Sequence, residues 1–168
     1  MAELLRGLDR VIGHIVAATQ WLALPLVVLL FLQWPLRDVV RIFSREANDL
    51  GQVIFAFFVA VSVTAATRAR THLAADLLAS RYQPRVRRRL NQLGSALGLL
   101  PWALFVLVAS KSTVISSLHD REAFQDSGNP GYFLIKLALW VMAILILCQS
   151  LVDILRPEIL SSQAADKT

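Results

Sequence analysis

Polar and apolar positions along the chain fall into two regimes. Four long stretches, near residues 11–34, 49–67, 93–115 and 131–155, are almost continuously apolar. Each reaches the roughly 20 residues that a helix needs to cross about 30 Å of hydrocarbon. Outside them the pattern turns amphipathic. The start "MAELLRGLDRVIGHIV" sets Leu4, Leu8, Val11, Ile12 and Ile15 at helical spacing with Arg6, Asp9 and Arg10 on other faces, so it is expected to be a helix running straight into the first span. Pro25, inside that span, is expected to kink it. "PLRDVVRIFSREAND" sets Leu36, Val39, Val40 and Phe43 against Arg37, Asp38, Arg41 and Arg45, the pattern of a short helix lying in the interface. After Pro84, Val86, Leu90, Leu93 and Leu97 share one face while Arg85, Arg87, Arg88 and Arg89 lie mostly off it. Proline is well placed at a first helical position, where its missing N–H costs nothing, so the third helix is expected to begin there in water and to enter the membrane near Leu90. The predicted class is all-α: a polytopic protein with four transmembrane helices and short interfacial helices, forming a single membrane domain over residues 1–168.

Composition agrees with that pattern, since 56% of the 168 residues are hydrophobic and 17% charged, against roughly a quarter charged in soluble domains. A net charge of +5 and a pI near 10.1 raise the question of nucleic acid, whose phosphates draw basic side chains. The position of the charge answers it. Seven of the seventeen bases lie in "RARTHLAADLLASRYQPRVRRR", residues 68–89, between two apolar runs, 49–67 and 90–110, that carry no base. This is the mark of a cytoplasmic loop, here 68–92, under the positive-inside rule. Eleven bases lie in the N-terminal segment, this loop and the tail, against four in the other two loops, which predicts cytoplasmic termini. Membrane lipids are expected partners, because basic side chains near anionic headgroups are attracted to them; nucleic acid is not. "SSLHDREAFQDSGNPG" ends in a Gly, Asn, Pro turn signal and is expected to be a loop in the opposite compartment, with Lys111 and Lys136 snorkelling to the interface there. Cys148 is the single cysteine, expected as an apolar space-filler. The first span is expected to be an uncleaved anchor, too long for a signal-peptide core.

Chemistry of its own is sparse. The middles of the second and third spans hold no charge, and Asp49 and Asp153 sit towards helix ends, whereas a transporter carrying its own substrate keeps acids or broken helices at midplane. His14, His72 and His119 fall at a helix entrance and in loops, poorly placed for haem. No phosphate-cradling glycine loop is present. The chain is therefore not expected to be an enzyme or to bind a cofactor, metal or substrate. Ala56, Ala60 and Thr64 share a face by four-residue spacing, as do Gly94 and Gly98. Such faces serve packing within the bundle or docking against another membrane protein, and Ala56, Ala60 and Thr64, with Asp49 at the rim, are the candidate partner interface. Arg68, His72 and Asp76 fall within two helical turns at the end of the second span, a candidate structural cluster with Asp76 as acceptor.

The run "ANDLGQVIFAFFVAVSVTAATRARTHLAADLL" resembles the signature of the DctQ type, the small membrane subunit of tripartite ATP-independent periplasmic (TRAP) transporters. An acid opens the second helix at Asp49, arginines close it at Arg68 and Arg70, and His72 is followed by Asp76, Leu77 and Leu78. "PGYFLIKLALWVMAILILCQSLVDILR" is similar to the family's last helix, so the resemblance spans roughly residues 20–156. It departs where the family usually has Glu at Asp49, a base at Gln52 and Gly at Arg70. The resemblance implies a scaffolding subunit in a bacterial inner membrane. Its implied partners are a large DctM-type membrane subunit, with the sodium and substrate sites, and a periplasmic binding protein that delivers an organic acid anion. The residues alone leave two alternatives. A self-sufficient four-helix drug/proton antiporter needs an embedded carboxylate in an early helix; an anchor subunit of a redox complex needs histidines inside the bundle.

Overall fold

The computed structural model describes residues 2–39, 44–69 and 83–165. Six α-helices are found among them: α1 (Ala2–Gln20), α2 (Ala23–Asp38), α3 (Arg45–Ala69), α4 (Pro84–Gly94), α5 (Leu100–His119) and α6 (Tyr132–Ala165), with a π turn over Ser95–Leu99 joining α4 to α5. Four stretches are long and apolar enough to cross a membrane, Glu3–Gln33, Arg45–Ala69, Gln92–His119 and Tyr132–Leu155, matching the four apolar runs of the sequence.

Helix α6 is the centre. It packs along α3 on one side and α5 on another, and touches α1, while α2 leans on α3. Lipid tails are as apolar as leucine, so burying hydrophobic area does not hold these helices together; close van der Waals contact at small residues does. Ala60 on α3, Ala103 on α5, and Ala138, Ala143 and Ser150 on α6 are buried accordingly. Outward positions such as Phe31, Phe105 and Val108 are exposed, as lipid-facing side chains are in a bundle described without its bilayer. The polar side chains of the spans are largely spent on their own helices. Thr64, Thr67, Ser110 and Ser150 each donate to a carbonyl four residues back, and Trp140 Nε1 donates to Ser110 Oγ at 2.9 Å across the α5–α6 contact. Among the described residues, Gln33 Nε2 and Gln149 Oε1 are buried without a partner.

The first span is broken, but four residues before Pro25. A proline ring collides with the carbonyl of residue i−4, which here is Trp21. Trp21 and Leu22 leave the helix, their N–H groups closing on Ala18 O and Thr19 O at 3.2 and 2.9 Å, and Trp21 O accepts instead from Leu24 at 3.3 Å. The third span carries the same conflict differently. Pro101 cannot donate to Leu97 O and crowds it, and the chain widens there into the π turn, with Leu100 N–H bonding to Ser95 O. The proline dictates this detour, and π turns recur where an α ladder cannot close.

Pro84 opens α4 as expected. The amphipathic segment after the first span is divided: residues 36–38 finish α2, which runs through Pro35, residues 45–49 open α3, and residues 40–43 lie outside the described residues. Ser44 Oγ accepts the Ala47 N–H at 3.1 Å, a side-chain cap that satisfies one of the free donors at the start of α3.

Candidate functional site

Three places concentrate chemistry: the α5–α6 loop, the opposite end of α3, and a groove between α3 and α6.

The loop, expected as a plain polar connection, is built. Phe124 N–H bonds to Asn129 O and Gly128 N–H to Phe124 O, both at 2.8 Å, with Ala123 and Pro130 bridged antiparallel. Gly128 has φ +72°, a left-handed value that glycine adopts without strain. At Gly131, φ +150°, an added Cβ would come within 3.3 Å of the Phe124 ring; the missing side chain lets Phe124 bury itself, edge-on to Tyr132 with centroids 5.6 Å apart.

Two clasps fix this loop. On the α3 side, Asp49 is only 6% exposed and accepts from Ser127 Oγ and, at 3.1 Å, from Asn129 Nδ2, while Arg45 Nη1 donates to Asp126 O at 3.1 Å. On the other side, Glu122 accepts from Ser117 Oγ at the end of α5 and from Lys136 Nζ near the start of α6. Lys136, expected to snorkel, is thus paired, with its ammonium also 5.4 Å from the Tyr132 ring centroid.

The Lys136 hydrogen bond foremost, then that from Ser117, hold the Glu122 carboxyl below its usual value of 4.5. A carboxylate with a depressed pKa stabilises the fold at pH above its unfolded value, and that stability is lost as pH falls through the lower folded value. Glu122→Gln is therefore expected to melt below wild type at pH 7 and to converge with it as the pH falls below about 4.5, flattening the pH dependence of thermal stability. A melting series from pH 3 to 7 in which wild type and variant run parallel would remove Glu122 from this role.

At the other end of α3, Arg68 Nη2 pairs with Asp9 Oδ1 at 3.0 Å and Nη1 donates to Asp9 O at 2.9 Å. The guanidinium lies over Gly13, where an added Cβ would stand 3.6 Å from it. Both side chains are about a third exposed, so the pair positions α1 against α3 more than it stabilises, since such pairs contribute about 0–1 kcal/mol. His72 and Asp76, the other members of the expected cluster, lie outside the described residues.

The groove holds about 380 Å³ and is lined on α3 by Gln52, Phe55, Ala56, Val59 and Ala60, and on α6 by Ala138 and Met142 among others. Of the candidate interface residues, Ala56 and Ala60 line it. Thr64, with no exposed surface, sits inside the bundle, and Asp49 faces the chain's own loop. Sequence reading overlooked Glu122, Ser117, Ser127 and Asn129; the turn signal at 128–131 was the available sign that this loop has a fixed shape.

A family model described as "Tripartite ATP-independent periplasmic transporters, DctQ component" matches residues 26–158. No curated protein and no solved structure matches the chain.

Proposed function

The chain belongs to the DctQ family, the small permease component of TRAP transporters, and from that premise we propose that it is a scaffold for a sodium-driven uptake system. In this reading a large DctM-type subunit carries the sodium and substrate sites, and a periplasmic binding protein delivers an organic acid anion. This chain, with no enzymatic step and no cofactor of its own, holds the large subunit in place in a bacterial inner membrane. One observation carries the reading: the polar groups in its spans bond mainly within their own helix or to the adjoining helix, where a carrier would present them to a cargo.

The base distribution supports cytoplasmic termini and a cytoplasmic 68–92 loop, which puts the clasped α5–α6 loop in the periplasm. The α3 face at Ala56 and Ala60 is the proposed contact for the large subunit, with Thr64 and Asp49 supporting it from within. Arg68, His72 and Asp76 are proposed to fix the inner end of α3, with Arg68 already held by Asp9.

The test is uptake in liposomes under a sodium gradient, comparing this chain alone, the large subunit alone, and both with the binding protein. Uptake is expected only from the complete set. Transport by this chain alone would overturn the scaffold role.

A further inference from the structure

Helix α4 presents three surfaces with different chemistry. Towards the bundle, Gln92 Nε2 donates to Ile154 O on α6 at 3.2 Å, and Ser95, one turn on, is buried. Turned away from that side are Val86, Leu90 and Leu93, 42 to 54% exposed, followed by Leu97 at 75%. Nothing among the described residues covers them. By helical spacing Arg87 and Arg89 fall at the two edges of this apolar face, within a run of four arginines in five residues, and no acid occurs between Asp76 and Asp120 to neutralise them along the chain.

Length fixes the depth. From Pro84 to His119 the helical path is 36 residues, roughly 50 Å at about 1.5 Å per residue, whereas the hydrocarbon core spans about 30 Å. The excess falls at the basic start, because guanidiniums are costly in hydrocarbon, so the first turns of α4 lie in the headgroup layer. There an apolar face meets acyl chains and the flanking guanidiniums meet phosphates, which they bind through paired N–H donors.

We propose that α4 is a binding site for anionic phospholipid, with headgroup phosphates at the Arg87 and Arg89 positions and acyl chains against Val86, Leu90 and Leu93. Gln92 then ties the lipid-bound segment to α6, so that bound lipid stiffens the α4–α6 contact. The positive-inside rule alone asks for bases in the loop. It does not ask for an exposed apolar face between them on a helix lying at headgroup depth, and that combination selects a lipid over a soluble polyanion. The inference does not depend on the transport role.

The experiment is native mass spectrometry of the purified chain from mixed micelles holding equal phosphatidylglycerol and phosphatidylcholine. Wild type is expected to retain the anionic lipid preferentially. Replacing one arginine is expected to lower that preference by about fivefold, the effect of one base near an anionic surface. Arg89→Gln is the single variant, because the remaining bases preserve topology. The charge-keeping variant Arg87→Lys with Arg89→Lys is expected to keep most of the preference, and Leu90→Gln with Leu93→Gln to weaken retention of both lipids. Equal retention of the two lipids by wild type, or a preference unchanged in Arg89→Gln and in Arg87→Gln with Arg89→Gln alike, would overturn the site.

Discussion

Replacing Asp49 by alanine is expected to free the α5–α6 loop and lower stability by about 1–3 kcal/mol, the contribution of hydrogen bonds to a charged acceptor. Two donors lose their partner at once, Ser127 Oγ and Asn129 Nδ2. Ser127 Oγ also accepts the Asn129 N–H at 3.2 Å, so the carboxylate orients a hydroxyl that in turn shapes the turn. Asp49→Asn keeps one acceptor oxygen and is expected to lose less. Hydrogen exchange reads the effect directly, since the Phe124 and Gly128 amides are bonded within the loop and are expected to exchange faster in the alanine variant while α6 amides do not. Unchanged protection at those two amides would show that Phe124 packing alone holds the loop.

Ala56→Trp is the second large effect. Ala56 lines the groove between α3 and α6, and an indole there fills the space a neighbouring helix would occupy. Overpacked contacts cost about 1–3 kcal/mol, and about 1.4 kcal/mol is tenfold in an equilibrium, so recovery of the large subunit on tagged small subunit is expected to fall about tenfold. Val108→Trp, on a face of α5 that is 74% exposed, serves as the comparison and is expected to recover it normally. Both variants are melted alone first, so that loss of partner is separated from loss of fold. If Val108→Trp fails and Ala56→Trp does not, the partner sits on α5.

What the sequence disclosed and what it withheld divide by distance along the chain. Span positions, the start of α4 at Pro84, and the amphipathic character of α1 follow from local periodicity and from one residue's missing N–H. The α3 acid was visible at Asp49, but its partners lie 78 and 80 residues away, and no local pattern reports a contact of that range. Arg68 likewise had a plausible acceptor nearby in sequence, Asp76, while the structure pairs it with Asp9, 59 residues back. The loop was legible as a turn and not as a built element, because its shape depends on Phe124 finding the space that Gly131 leaves. Pro25 predicted a disturbance of the first span, and the steric conflict with the carbonyl four positions earlier sets where it falls.

The π turn has a consequence for direction around the helix axis. Ser95 and Ala103 are both buried against the bundle, yet in an unbroken α-helix eight residues of separation would leave them about 80° apart. The wider turn removes that offset. With α5 held fixed, closing the turn to α geometry would swing everything before it by roughly a quarter of a revolution, carrying Gln92 off its carbonyl on α6 and turning the exposed Val86, Leu90 and Leu93 to another side. The compass bearing of α4's exposed apolar face is thus set by Pro101, twelve residues further on from Arg89, a residue that carries no charge and donates no hydrogen bond.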